Sequence, residues 1–396
     1  MKFFENMSFL LIAFLCFVNI SPGQENDFWD IQRKGANCFN KVPEEQWFRD
    51  VTELGLEWVR ITYDKWEPEQ RDFLIGDASD YDGLVQKDLE KLKEVISWAA
   101  KYGIQLVITP LSLPGSRYRQ NNENKLDSRL WEDYRYWDQA VQFWTDLAGE
   151  LREYENVVAY NLINEPFPEL GTGLQEHYKP GDVSEFLEWY RKVQGTPRDI
   201  YAFYEKIIRE IRKVDPHRAI ILDAGWYGQP GAFCYWPETF GDENILYSFH
   251  MYEPWEFTSN KNFREKNNYV YPGPVPFGND TVYWDKNTIA LYFKPFLRWF
   301  QEKDIPANRI VAGEFGCMRR NEGATKYLED ILDFLNKNKF HWAFYSFRED
   351  EWDGYDYELG TEALGWDYWQ AVERGENPPK PRKDNDLFDV IKSQFD

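Results

Sequence analysis

The sequence predicts an α/β fold, a (β/α)8 barrel of the TIM type built as a single domain, and three features carry that prediction. From Gln32 onward, short runs rich in β-branched and aromatic residues alternate with longer stretches of helical periodicity, eight times over. The segments that follow the runs are long, near 64–86, 111–130, 167–197, 252–285 and 348–384, while those that precede them are short. This is the asymmetry of a barrel whose loops at the carboxyl ends of the strands are enlarged to form a cleft. Finally, two apolar runs end in glutamate, Glu165 and Glu314. A carboxylate is costly at the end of a buried strand unless it faces a common opening.

Strands are expected near 32–38, 56–62, 104–110, 156–164, 218–224, 244–251, 309–314 and 340–347. In the second, Arg60 falls in phase with Trp58. Between the second and third, Leu89, Leu92, Val95, Ile96, Ala99 and Tyr102 recur at helical spacing, and Gly103 supplies the left-handed residue that ends a helix. The next helix carries the stripe Trp137, Ala140, Val141, Trp144, Leu147, Ala148 and Leu151, whose aromatics are explained by docking on the sheet. Strand alternation places Ala159, Asn161, Ile163 and Glu165 on one face of the fourth strand. It places Ser248, His250 and Tyr252 opposite Tyr247, Phe249 and Met251 on the sixth, and Ile310, Ala312 and Glu314 together on the seventh. Asn377-Pro378-Pro379-Lys380-Pro381 reads as a stiff surface turn before a last helix at 385–394. An inward Arg or His taken alone is usually a structural pair or a core residue. Here five polar groups, Arg60, Glu165, His250, Tyr252 and Glu314, converge from four strands on one end of one barrel.

The chain of 396 residues is 43% hydrophobic and 18% aromatic, enough for one large core, and no break in composition divides it. Its net charge of −22, with Lys and Arg dispersed, excludes an electrostatic grip on nucleic acid or anionic lipid. Eighteen Trp and 25 Tyr supply flat amphipathic faces for packing and for stacking on sugar rings. Residues 1–23 read as a signal peptide: Lys2, an apolar run from Phe9 to Val18, then Ser21-Pro22-Gly23 with cleavage before Gln24. That run is shorter than the roughly 20 residues a bilayer span needs. No stable membrane insertion is expected after cleavage, and Leu15 argues against lipidation at Cys16. Residues 24–396 then form the barrel domain, exported to an extracellular or periplasmic space as a monomer. Cys38, Cys234 and Cys317 remain, so at most one intramolecular disulfide can form. The cysteines and the four histidines show no metal-ligand spacing, and neither metal nor cofactor is expected.

Asn164-Glu165-Pro166 after an apolar strand, His250-Met251-Tyr252 on a later one, Glu314-Phe315-Gly316, an early Gly35-Ala36-Asn37 and the inward Arg60 together resemble glycoside hydrolase family 5, the cellulase family. The likeness spans nearly the whole mature chain. It implies Glu165 as general acid/base, Glu314 as nucleophile and Asn164 as hydrogen-bond donor to the sugar 2-hydroxyl, with Arg60, His250 and Tyr252 as the shell that holds the carboxylates. Two departures bear on specificity. The family's third-strand His is replaced within Thr109-Pro110-Leu111-Ser112, and its eighth-strand Trp appears as Tyr345 or Phe347. Trp66, Trp226, Trp255, Trp284 and Trp352 fall in or beside the loops at the cleft end, where sugar contact competes with simple packing. Trp226 and Trp255 are favoured because each sits close to a strand end. The acidic stretch from Glu349 to Tyr357 reads as a solvated loop or as a hydroxyl-binding rim, and as a solvated loop rather than a weak calcium site where metal is concerned.

Paired carboxyls suit cleavage of a glycosidic bond. The nucleophile must stay ionised while its partner keeps a proton, and once the nucleophile is consumed in a glycosyl–enzyme bond the partner can deprotonate water. A retaining mechanism requires the two groups about 5 Å apart. The expected function is a secreted retaining β-glycosidase of endo-β-1,4-glucanase or mannanase type, acting on a polysaccharide, oligosaccharide or glycoconjugate. The alternatives are an exo-acting β-glucosidase, β-mannosidase or glycolipid hydrolase, and a carbohydrate-binding barrel that has lost catalysis.

Overall fold

The computed structural model describes residues 28–395 apart from 120, 121, 177, 178 and 377, so the expected signal peptide lies outside the described residues. Eight apolar runs pair edge to edge as β1 (Lys34–Cys38), β2 (Trp58–Ile61), β3 (Gln105–Ile108), β4 (Val157–Asn161), β5 (Ala219–Asp223), β6 (Ile245–Met251), β7 (Ile310–Phe315) and β8 (His341–Phe344). All pairings are parallel, and β8 closes on β1 to complete the barrel. Every expected strand forms, most of them one or more residues shorter than the apolar run, while β7 keeps its length and is shifted by one residue.

The outer ring is made by α1 (Glu45–Leu54), α2 (Gln86–Lys101), α3 (Tyr134–Leu151), α4 (Ile200–Val214), α5 (Lys286–Glu302), α6 (Ala324–Asn338) and α7 (Asp386–Lys392). The two stripes read from sequence are the buried faces of α2 and α3, and Gly103 adopts φ +73 just past α2. The fifth unit departs from the pattern. Gln229-Pro230-Gly231 interrupts helix propagation, and a short 3-10 turn, Pro230–Tyr235, packs Phe233 against Trp299 of α5 instead. Several of the long connections also carry structure of their own, among them the helix Trp366–Glu373 in the loop after β8. Ser184–Val193 is a helix that buries Phe186, Trp189 and Tyr190, and Gly273–Phe277 pairs with Asp280–Trp284 as an antiparallel hairpin. Trp66 and Trp284 are buried, so packing accounts for both.

The barrel interior is filled by Trp58, Val107, Ala159, Ala219, Ile221, Leu246, Val311 and Ala343, with Trp29 from the short Phe28–Asp30 turn joining them. Trp29 donates its indole N–H to the Val158 carbonyl at 3.3 Å. Alternation on β2 and β6 is as expected: Trp58 belongs to the interior, while Tyr247, Phe249 and Met251 join the outer core. On β7 the expected phase is corrected. Val311 is the interior residue, and Ile310 and Ala312 pack outward. The pairing with β6 then skips a residue, from Phe249–Ala312 to His250–Glu314, leaving Gly313 as an extra residue in a bulge. A Cβ at Gly313 would lie 2.6 Å from Ser248 Oγ, so only glycine fits there. The bulge, rather than simple alternation, brings Glu314 to the mouth. On β4 the regular strand stops at Asn161, and Glu165 reaches the mouth through a turn in which its own φ is +49. Cys38, Cys234 and Cys317 are unpaired. No helix among the described residues is long and apolar enough to cross a membrane.

Because Trp29 is fully buried in this interior, Trp29→Ala should cost about 3–5 kcal/mol of stability in denaturant titration. The KM of the folded variant should be unchanged, since Trp29 joins a cluster separate from the groups at the mouth.

Candidate active site

Arg60 ends an apolar strand with a planar guanidinium that is almost fully buried, and such a group is tolerated only when its donors are used. Its Nε donates to Asn161 Oδ1 at 2.8 Å, Nη1 to Glu314 Oε1 at 2.7 Å and Asn37 Oδ1 at 3.1 Å, and Nη2 to Asn164 Oδ1 at 2.6 Å. Asp223 Oδ2 lies 3.4 Å from Nη2. The Tyr252 hydroxyl donates to the other Glu314 oxygen at 2.8 Å. Glu314 is therefore held at both oxygens, while Asn164 accepts through Oδ1 and keeps its NH2 for a ligand.

Glu165 sits across from this pair. His250 Nδ1 is 3.0 Å from Glu165 Oε1, and Asp223 Oδ2 accepts the Glu165 backbone N–H at 3.2 Å. His250 Nε2 faces Asp223 Oδ2 at 3.3 Å, an ion-pair distance. Burial alone would push the His250 imidazole down, but the charges of Glu314 and Asp223 and the bond to Glu165 outweigh it and raise its pKa to about 10. Asp223 is moved in the opposite sense: burial would raise it, and the His250 and Arg60 charges hold it below the usual carboxylate range. Glu165 is raised, first by burial and then by the Glu314 charge, against the pull of His250. Two cations, Arg60 and His250, thus face two carboxylates, Asp223 and Glu314, and a protonated Glu165 leaves the cluster neutral. Donor atoms of Glu165, His250 and Glu314 all lie within 4.8 Å of one another. These donor types can ligate a metal, but the guanidinium and imidazolium already supply the positive charge.

A cavity of about 510 Å³ opens beside Glu165, lined among others by Tyr118, Phe167, Trp226, Tyr227, Tyr252 and Trp255. Both favoured tryptophans border it, Trp226 buried and Trp255 half exposed at the rim. Trp352 and Tyr345 do not line it: Trp352 packs edge-on against Tyr355, and Tyr345 is buried with its hydroxyl donating to Glu349 at 2.7 Å. Of the two residues suggested for the missing eighth-strand Trp, Tyr345 sits at the mouth near Tyr252, whereas Phe347 packs on Trp47. In the third-strand segment Thr109 is buried, and the Leu111 and Ser112 N–H groups bind Asp64. Tyr118, which the sequence gave no reason to single out, comes close enough to feel the charges of both Glu165 and Glu314. Asp223 was also missed, although an apolar strand ending in Asp is the same signal that marks Glu165 and Glu314.

A family model for cellulases, glycosyl hydrolase family 5, matches residues 23–351. The chain belongs to that family. This family 5 enzyme is a glycoside hydrolase. Among curated relatives it is 23% identical to the beta-xylosidase of Phanerodontia chrysosporium over 82% of this chain and 61% of that protein, so it spans about three fifths of that relative's length. It is 20% identical to endoglucanase C of Acetivibrio thermocellus over 80% of this chain and 88% of that one. The crystal structure of endoglucanase Cel5A from Thermotoga maritima shares the fold with a TM-score of 0.62 at 19% identity, covering 91% of this chain and 96% of that chain.

The hydrolase carries one further buried carboxyl beside the cavity. Glu169, fully buried, accepts the Trp226 N–H at 2.9 Å and the Tyr235 hydroxyl at 2.6 Å, and the Tyr227 N–H is bound by the Pro166 carbonyl at 3.0 Å. These bonds hold Trp226 and Tyr227 in left-handed backbone, φ +46 and +59, beside Gly225, where a Cβ would strike Glu169. Burial raises the Glu169 carboxyl from 4.5 to about 7. The folded protein therefore binds this proton more tightly than the unfolded chain, and the stability it confers is lost as pH rises from 4.5 through about 7, in total about 3 kcal/mol. Glu169→Gln should abolish that slope. Thermal melts of both proteins from about pH 5 to 8 should show the wild type losing ground to the variant as pH rises, and parallel curves would refute the assignment.

Proposed function

We propose that this family 5 hydrolase is a secreted retaining β-glycosidase that cleaves β-linked gluco- or manno-configured glycans by double displacement. The observation that carries the reading is the proximity of two carboxyl groups in unlike settings, Glu165 and Glu314, with oxygens no more than 4.8 Å apart. Retaining enzymes hold such groups about 5–5.5 Å apart, and inverting ones leave room for a water between them. Glu314, bonded by Arg60 and Tyr252, attacks the anomeric carbon. Glu165 gives its proton to the departing oxygen, and a glycosyl ester forms on Glu314. That ester carries no charge, so the repulsion that kept the proton on Glu165 is removed. Glu165 then takes a proton from water, the hydroxide displaces Glu314, and the sugar leaves with its original configuration. Asn164 offers its NH2 to the 2-hydroxyl, and Trp226 and Trp255 offer flat faces to the sugar on the leaving side.

Glu314→Ala should reduce hydrolysis of aryl β-glycosides to background and regain turnover in azide with formation of the α-glycosyl azide. Glu165→Ala should lose on the order of 10²- to 10⁴-fold with poor leaving groups and far less with activated ones. Because the Glu165 carboxyl is raised and must be protonated to act, wild-type activity falls with rising pH above the ordinary carboxylate range, and Glu165→Gln should lack that alkaline limb with an activated aryl substrate. Wild-type turnover in either alanine variant would eliminate this pair.

A further inference from the structure

We infer that the mouth is a one-sided pocket holding a single sugar on its glycone side, so that the enzyme releases monosaccharides from non-reducing ends in place of the internal cleavage expected from sequence; this rests on the retaining reading above. Glu165 protonates the leaving oxygen, so the reducing-side portion of a substrate departs over the loops beside Glu165. Those are the loops that open. The lining of the cavity comes from the segments after β3 (Tyr118), β4 (Phe167), β5 (Trp226, Tyr227) and β6 (Trp255), with none of its described residues from the loops after β1, β2 or β8.

The opposite half of the mouth, where sugars beyond the attacked ring would have to lie, is sealed by side-chain bonds among those three loops. Asp350 in the β8 loop accepts the backbone N–H groups of Lys41 at 3.0 Å and Val42 at 2.8 Å in the β1 loop. Lys65 in the β2 loop pairs with Glu349 at 2.9 Å, and the other Glu349 oxygen takes the Tyr345 hydroxyl. Asn40 donates to the Arg348 carbonyl at 3.4 Å and receives the Trp66 indole N–H on its own carbonyl at 3.2 Å. Lys380, from beyond the β8 loop's helix, clamps the Glu349 carbonyl at 2.7 Å. Side-chain exposures of 10% for Lys65 and 1% for Glu349 describe a wall, not a groove floor.

The test uses the purified mature chain with β-1,4-gluco-, β-1,3-gluco- and β-1,4-manno-pentaoses labelled at the reducing end, and reads first products by chromatography. Unlabelled monosaccharide and labelled tetrasaccharide in equimolar yield is the expected result. Labelled di- or trisaccharide among the first products would overturn it, while turnover of aryl β-monoglycosides in the same preparation would leave double displacement standing. No turnover of any of these substrates would sink both readings. Asp350→Ala, which frees the strap without touching the carboxylates, should raise the share of internal cleavage severalfold at nearly unchanged aryl monoglycoside kcat; an unaltered product ratio in this folded variant would also count against the seal.

Discussion

The buried guanidinium of Arg60, at the mouth of the barrel, is the constraint from which the rest of this structure follows. Desolvating Arg60 costs several kcal/mol unless nearly every donor finds an acceptor, and the acceptors come from four other strands or their ends: Asn37, Asn161 with Asn164, Asp223 and Glu314. Removing any one leaves a buried polar group unpaired. The strand ends are thus tied to a common centre by the same bonds that orient Glu314, and barrel closure and preparation of the site are one event.

Charge balance carries that constraint to the other carboxyl. With Arg60 alone, Asp223 and Glu314 would leave the cluster negative. His250 resolves this by taking a proton, which the two carboxylates hold on it up to about pH 10. A third ionised carboxylate would upset the balance again, and it is Glu165, buried and facing Glu314, whose carboxyl is pushed up. Asp223 binds the Glu165 backbone N–H and faces His250, so it helps to place Glu165 and to hold the proton on His250.

Much of this was legible in the chain because strand ends are where chemistry departs from apolar pattern. Eight β-branched runs, long following loops and polar residues at Arg60, Glu165, His250, Tyr252 and Glu314 were sufficient for the barrel and for most of the convergent groups. The errors came where the backbone leaves regular geometry. Alternation cannot anticipate the bulge at Gly313 that resets the phase of β7, nor the left-handed turn that delivers Glu165 after β4 has ended. Tyr118 was invisible for a different reason: it follows β3 by nine residues of irregular loop, a region in which neither period 2 nor period 3.6 constrains where a side chain points. The helix Ser184–Val193 was legible in principle, since Phe186, Trp189 and Tyr190 stand at helical spacing.

The two halves of the mouth show how different physical devices divide one cleft. On the Glu314 side the loops after β1, β2 and β8 are joined by the exposed Asp350, which accepts the Lys41 and Val42 N–H groups, and by the buried Lys65–Glu349 pair, whose separation would strand a buried charge. On the Glu165 side the loops are shaped by packed aromatics and by a left-handed turn at Trp226 and Tyr227, which persists because Glu169 and Pro166 bind its N–H groups. Aromatic contacts are less directional than buried ion pairs and can repack around different partners at smaller cost. Under the proposed mechanism, a fixed wall on the Glu314 side facing an adaptable side at Glu165 would let the paired carboxyls demand a particular terminal sugar and still accept varied chemistry beyond the scissile bond.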